Sequence, residues 1–132
     1  MEPSKFNKLV EEFIDQEELI LNLKRQDYAS SDDRIENFKT VAKFLDVKAS
    51  DVALTYLMKH IQSLAVAVQS KSYDWCWQNN SGHEGLKQRI ADARNYLLLL
   101  AACIEEESNV TLRDIYGPID NIEFGAHQNE KE

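Results

Sequence analysis

Side chains that could bind a ligand are concentrated on one predicted helix, residues 84–107, with the sequence EGLKQRIADARNYLLLLAACIEEE. At about 100° per residue, polar side chains follow one side of this helix. They are Glu84, Gln88, Asp92 and Asn95, with Arg89 and Tyr96 beside them. The carboxylates, amides and guanidinium of this polar face can bind an anion or a sugar hydroxyl; the alternative is that the face meets only water.

A second polar cluster lies on the preceding predicted helix, residues 51–71. Tyr56, Lys59, His60 and Ser63 fall within an arc of about 100° on that helix. A cation, an imidazole and hydroxyls on one face can hold the oxygens of a phosphate group. The alternative is again a solvated surface.

Aromatic residues are crowded into the loop between these two helices, residues 72–83, with the sequence SYDWCWQNNSGH. Trp75 and Trp77 could stack on a nucleobase, as aromatic side chains on a loop often do. They could equally fill a gap between helices or lie in a subunit interface. Cys76, between them, has no accompanying CxxC or HxxxH pattern that would indicate zinc.

Carboxylates at three positions form the candidate metal set. Glu17 lies inside the apolar stripe of the first predicted helix, where a carboxylate must be paired, bind a metal or line a cavity. Together with Glu84 and Asp92 it could hold Mg²⁺, a cation that prefers oxygen ligands. Gln88 stands between Glu84 and Asp92 and could add an amide oxygen but no charge.

The elements that would position these side chains are four helices, predicted at residues 5–25, 34–45, 51–71 and 84–107. Short connections favour an all-α, four-helix antiparallel bundle in one domain, followed by an irregular C-terminal arm and polar tail at 108–132. The side chains predicted to face the core are Phe6, Leu9, Val10, Phe13, Ile20 and Leu21; Ile35, Phe38, Val41, Ala42 and Leu45; Leu54, Leu57, Ile61, Leu64 and Val68; and Leu86, Ile90, Ala93, Leu97, Leu100 and Ile104.

Composition excludes several classes of partner. The formal net charge of −8 is unsuited to binding duplex nucleic acid, which needs a basic surface. The apolar run from Tyr96 to Ile104 is too short to cross a bilayer, which takes about 20 residues. Two cysteines without a disulfide framework favour a reducing compartment, so we expect a cytoplasmic protein.

Four segments together resemble a known protein family. They are KRQDY at residues 24–28, DDRIENF at 32–38, LMKHIQSL at 57–64 and RIADARNYLLLL at 89–100. Their order is similar to that in small phage proteins of the "nucleotide modification associated" type, which look like relatives of all-α, MazG-like nucleotide pyrophosphohydrolases. The resemblance covers about residues 24–107 and implies an all-α, oligomeric fold that binds a nucleotide between helices.

Individual residues match the motifs of this family. The matches are Lys59 and His60 to its KH pair, and Arg89, Asp92, Asn95 and Tyr96 to its R-x-x-D-x-x-NY pattern. The chain departs from catalytic MazG-like enzymes, which resemble one another in an ExxE on one helix and an ExxD on the next. Arg89 stands where the first carboxylate of that ExxD would be, and the first helix offers only ExxD, from Glu12 to Asp15.

The sequence therefore predicts a homo-oligomeric nucleotide-binding protein. It would hold a phosphorylated nucleotide or a nucleotide-derived immune signal between helices and sequester it without turnover. Lys59, His60, Ser63 and Arg89 would meet phosphates, and Asp92 or Asn95 a ribose hydroxyl or base edge. Two alternatives are a Mg²⁺-dependent pyrophosphohydrolase that uses Glu17, Glu84 and Asp92, and a structural oligomerisation module without a small ligand.

Overall fold

The computed structural model describes residues 1–27 and 33–108, with side chains described for 1–22 and 33–108. It contains four helices: α1 (Pro3–Asp27), α2 (Glu36–Leu45), α3 (Ala49–Ser70) and α4 (Leu86–Ser108). The prediction of an all-α, four-helix fold is confirmed. The predicted arm lies outside the described residues except for Ser108, which ends α4.

Local side-chain chemistry sets where α2 and α3 begin and end. The carboxylate of Asp33 accepts the backbone N–H of Ile35 just before α2, and that of Asp51 accepts the N–H of Lys48 just before α3. After α2 the chain turns at Asp46, whose φ of 58° is left-handed, and the N–H of Val47 closes back on the carbonyl of Ala42. α3 therefore begins at Ala49, two residues before the predicted start of this helix at residue 51.

Ser50 joins α3 to the far end of α4. Its backbone N–H and its hydroxyl both donate to the carboxylate of Glu107, at 2.9 and 2.6 Å. A carboxylate beside the N-terminus of a helix satisfies free N–H groups and lies at the positive end of the helix dipole. This contact connects the first turn of α3 with the last turn of α4, so the two helices are antiparallel.

The main core lies where α2 packs across the antiparallel pair of α3 and α4. Phe38 of α2 is buried and contacts the rings of Tyr56 on α3 and Tyr96 on α4, with centroid separations of 5.7 and 6.1 Å. The buried members of this cluster are Ile35, Phe38, Ala42, Val52, Ala53 and Cys103. Aromatic rings at such tilted, edge-on angles contribute beyond their buried area.

α1 lies against α4 and the aromatic loop through a separate set of contacts. Glu12 accepts hydrogen bonds from Lys87 and from the indole of Trp77, both at 2.7 Å, and Trp77 packs on Phe13. Further along, Glu17 pairs with Arg94. Since the paired residue numbers rise together on both helices, α1 runs parallel to α4, whereas α3 and α4 are antiparallel.

Acid should weaken the attachment of α1. Hydrogen bonds from Lys87 and then Trp77 hold the pKa of Glu12 below its usual value of 4.5. A carboxyl with a lowered pKa stabilises the folded state above its unfolded pKa, and this contribution is lost as the pH falls through the folded pKa. We therefore expect Glu12→Gln to lower the melting temperature at pH 7 and to have less effect near pH 3.

Glu11→Gln is the control for this pH dependence, because Glu11 is the neighbouring, exposed carboxylate. The melting-temperature difference between wild type and each variant would be followed from pH 7 down to about pH 3. An equal difference for Glu12→Gln at every pH would contradict the assigned role of its carboxylate.

Several apolar side chains that were predicted to face the core are exposed, so that part of the prediction is wrong. Leu97 on α4 is 51% exposed and Phe6 on α1 is 55% exposed. The same holds for Val10, Leu45, Leu54, Ile61, Val68 and Ile104. The apolar stripes of these helices are wider than the strip that their neighbours cover, so only one flank of each stripe is buried. Within the described ranges, none of the helices combines the length and apolar character needed to cross a membrane.

Candidate anion-binding groove

An open groove of about 460 Å³ lies along the second half of α3, beside the start of α4. Its lining residues are Lys59, Gln62, Ser63, Val66, Ala67, Ser70, Ser72 and Arg89. The position follows from the packing of α2, whose Phe38 reaches only as far as Tyr56 on α3 and Tyr96 on α4. Beyond those rings the α3–α4 pair presents this groove, which we call the cation groove.

Two cations, Lys59 and Arg89, line the cation groove, and the lining residues that the structure describes include no carboxylate. Elsewhere in the described part of the chain, Lys87 pairs with Glu12, and Arg94 with Glu17. Among the described residues, the ion pairs found do not include Lys59 or Arg89. Lys59 lies 6.0 Å from the centroid of the Tyr56 ring, a weak cation–π contact.

Arg89 is held in place from across the groove. Its Nη1 atom donates to the hydroxyl of Ser63 at 3.0 Å, which connects α4 to α3 at the base of the groove. One bond uses only one of the five N–H donors of a guanidinium. The groove therefore offers an anion several hydrogen-bond donors. They are the remaining N–H groups of Arg89, the ammonium of Lys59 and the amide of Gln62.

The groove brings together Lys59, Ser63 and Arg89, three of the residues that were predicted to bind a ligand. The neutral lining residues Gln62, Val66, Ser70 and Ser72 were not predicted. Helical spacing alone would have placed 59, 62, 63, 66 and 70 on one side of α3, whereas Ser72 follows the left-handed turn at Lys71, which no sequence signal indicates.

Other predicted ligand-binding residues lie next to the groove but are occupied in packing. His60 stacks on Tyr96 with ring centroids 4.8 Å apart, and Tyr96 also packs into the aromatic cluster around Phe38. Asp92 accepts a hydrogen bond from Gln88 on the adjacent turn. Asn95 is half-buried on α4. None of His60, Asp92, Asn95 and Tyr96 is among the lining residues of the cation groove.

Neither tryptophan is among the described lining residues of the groove, and Trp77 contacts α1. Trp77 donates to Glu12 and packs on Phe13, so its indole is engaged on both its polar and its apolar side. Trp75 lies on the same side of α4, with the ammonium of Lys87 5.3 Å from its ring centroid. Of the alternatives for these two residues, the structure favours the filling of a gap between helices for Trp77, whereas Trp75 is 50% exposed.

The structure does not bring the three candidate metal ligands together. Glu17 accepts two hydrogen bonds from the guanidinium of Arg94, at 2.5 and 3.2 Å. Glu84 precedes α4 and is exposed, in a short bridge to Gln78. In the part of the chain that the structure describes, no group of three or more His, Cys, Asp or Glu residues could hold a metal ion.

Both cysteines are free thiols. Cys103 is buried in the α2–α3–α4 core, where burial and the nearby carboxylates of Glu107 and Glu106 raise the pKa of its thiol. A buried thiol with a raised pKa is a poor nucleophile.

Comparison with protein-family models, curated proteins and solved structures gives no match.

Proposed function

We propose that the protein binds a phosphorylated nucleotide in the cation groove and holds it without turnover. The observation that carries the proposal is the placement of Lys59 and Arg89 in one groove whose described lining residues include no carboxylate. In a chain of net charge −8, the ion pairs found among the described residues engage Lys39, Lys87 and Arg94. They do not include Lys59 or Arg89, and two such cations that line the same groove favour an anionic ligand.

Different lining residues of the groove suit different parts of a nucleotide. Arg89, fixed by Ser63, and Lys59 would bind phosphate oxygens through charge-assisted hydrogen bonds. Gln62 and the hydroxyls of Ser70 and Ser72 offer neutral donors and acceptors for a sugar or a base edge. That the anion is a nucleotide is what the resemblance of residues 57–64 and 89–100 to small phage proteins of the "nucleotide modification associated" type implies.

Binding without turnover is supported by the partners of the carboxylates. Glu17 is hydrogen-bonded by Arg94 and Asp92 by Gln88, and neither carboxylate is among the described lining residues of the groove. The proposal extends to a cytoplasmic homo-oligomer that sequesters a nucleotide-derived immune signal during phage infection. A Mg²⁺-dependent pyrophosphohydrolase and a ligand-free oligomerisation module are the other outcomes of the test.

Removal of either groove cation should weaken binding with little loss of stability. A thermal-shift screen of nucleoside mono-, di- and triphosphates, cyclic dinucleotides and ADP-ribose, each with and without Mg²⁺, would identify the ligand, because a ligand bound only to the folded state raises the melting temperature. Lys59→Ala and Arg89→Ala should then each raise its Kd by roughly 10- to 100-fold in titration calorimetry.

Lys8→Ala is the matched control, because Lys8 is an exposed lysine on α1. It should leave the Kd unchanged, and chromatography of the bound ligand should recover it intact. Recovery of a cleaved nucleotide only when Mg²⁺ is present would establish the hydrolase instead. If no nucleotide raises the melting temperature, the oligomerisation module is favoured and the proposal fails.

A further inference from the structure

The two cations of the cation groove lie at the same end of it. Lys59 is the first lining residue on α3, and its ammonium lies 6.0 Å from the centroid of the Tyr56 ring, which packs against Phe38 of α2. Arg89 reaches across from α4 and donates to the hydroxyl of Ser63, about one turn of α3 after Lys59. The positive charge is therefore concentrated within about 6 Å of helix length, at the end of the groove nearest α2.

The other end of the groove has a neutral lining, which we call the neutral half. Its described residues are Val66, Ala67, Ser70 and Ser72. From Ser63 to Ser70, α3 rises by about 10 Å, so the neutral half extends well beyond the cations. Val66 is 59% exposed, and the hydroxyl of Ser70 accepts the backbone N–H of Ser72 at 3.3 Å. The neutral half thus offers an apolar surface and two hydroxyls to an uncharged part of a ligand.

The first turn of α4 lies beside the neutral half, because α4 is antiparallel to α3. Backbone N–H groups at the start of a helix can attract a phosphate. Here the N–H of Leu86 donates to the carbonyl of Asp74 at 2.9 Å, and the N–H of Lys87 donates to the carbonyl of Cys76 at 3.2 Å. Loop carbonyls therefore already use these two donors, and the attraction of the groove for an anion comes from its two cationic side chains.

The charge of the groove matches one kind of phosphate group. A phosphate monoester at the end of a ligand carries about −1.5 to −2 charges at pH 7. A phosphate that links two groups carries only a single charge. Two cations about one helical turn apart suit the monoester, and the neutral half suits an uncharged remainder. A ligand with phosphates at both ends would place one of them on the neutral half.

We propose that the cation groove binds a nucleotide that ends in a single phosphate monoester. The phosphate lies between Lys59 and Arg89, and the nucleoside extends along Val66, Ser70 and Ser72. This ligand class rests on the proposed function, because it specifies which nucleotide the groove would hold. It differs from cyclic dinucleotides and ADP-ribose, whose phosphates are internal, and from triphosphates, whose charge exceeds that of two cations.

Titration calorimetry of the full chain tests the match of charge. The probes are the 5′-monophosphates of adenosine, guanosine, cytidine and uridine, each compared with its 3′,5′-cyclic monophosphate, which keeps the base and the sugar but has a singly charged diester. The preferred 5′-monophosphate should bind at least about 10-fold more tightly than its cyclic form. In Lys59→Ala this ratio should fall below about 3, because a single cation remains.

Ser72→Ala tests the direction in which the nucleoside extends. Loss of this hydroxyl should raise the Kd of the preferred 5′-monophosphate by about 3- to 10-fold, the usual effect of one hydrogen bond. Ser81→Ala is the matched control, because Ser81 is an exposed serine of the same loop and is not among the described lining residues. It should leave the Kd unchanged, and both variants should keep the melting temperature of the wild type without ligand.

A cyclic form that binds as tightly as its 5′-monophosphate would overturn this ligand class. So would a cyclic dinucleotide, ADP-ribose or a nucleoside triphosphate that binds more than about 10-fold more tightly than every 5′-monophosphate. Equal affinities of wild type and Ser72→Ala would overturn the placement of the nucleoside. In each of these cases, binding that depends on Lys59 and Arg89 would leave the proposed function intact. Only the absence of binding by every nucleotide would make the proposed function fail, so the two failures are distinguishable.

Discussion

Phe38→Ala is expected to lower the free energy of unfolding by about 3–5 kcal/mol, the usual cost of removing a buried phenyl ring. Phe38 is 1% exposed and contacts the rings of both Tyr56 and Tyr96. Alanine would leave a cavity between α2, α3 and α4, and it would remove two aromatic contacts at once. Urea denaturation followed by circular dichroism measures the change.

Phe44→Ala is the control on the same helix. Its side chain is almost fully exposed, so the free energy of unfolding should change by less than about 0.5 kcal/mol. If Phe38→Ala cost no more than Phe44→Ala, α2 would not be packed on the α3–α4 pair.

Gly85→Ala is the second substitution with a large expected effect, and it acts on the backbone. A Cβ atom at position 85 would lie 2.0 Å from the carbonyl oxygen of Cys76, far inside van der Waals contact. That carbonyl accepts the N–H of Lys87, and the N–H of Gly85 itself donates to Trp77 at 2.8 Å. The loop and the start of α4 must separate, and we expect a loss of about 3 kcal/mol, at the upper end of the range for overpacking.

The adjacent substitution Glu84→Ala controls for the position. The side chain of Glu84 is exposed, so its removal should change the melting temperature little. Gly85→Ala should lower it clearly in the same thermal-denaturation series. An unchanged melting temperature for Gly85→Ala would mean that the loop from Ser72 to His83 does not cap α4 through its carbonyls.

The four helices could be predicted from periodicity because an apolar stripe at 3.6-residue spacing identifies a helix whatever it packs against. Which flank of the stripe is buried could not be predicted. On α3, the side chains of Leu54, Leu57 and Ile61 were all predicted to face the core, but of these three only Leu57 is buried. The flank that is covered depends on where α2 lies across the α3–α4 pair, and that is a property of the assembled fold.

The candidate site was predictable where helical spacing determines it. Lys59 and Ser63 share a face of α3, and Arg89 joins them because α4 is antiparallel to α3. The partners of Glu12 and Glu17 were not predictable. Their bonds to Lys87 and Arg94 connect residues more than seventy positions apart and depend on α1 running parallel to α4.

The contact between the carboxylate of Glu107 and the first turn of α3 affects the order in which the chain folds during synthesis. Ser50 and Glu107 are 57 residues apart, so α3 leaves the ribosome well before the group that satisfies its first turn. Tyr96 and Cys103 are also synthesised after the α2–α3 hairpin, and without them the hydrophobic core of that hairpin is incomplete. The nascent hairpin is therefore incomplete until α4 emerges, and its stability rises in one late step as the last turn of α4 is made.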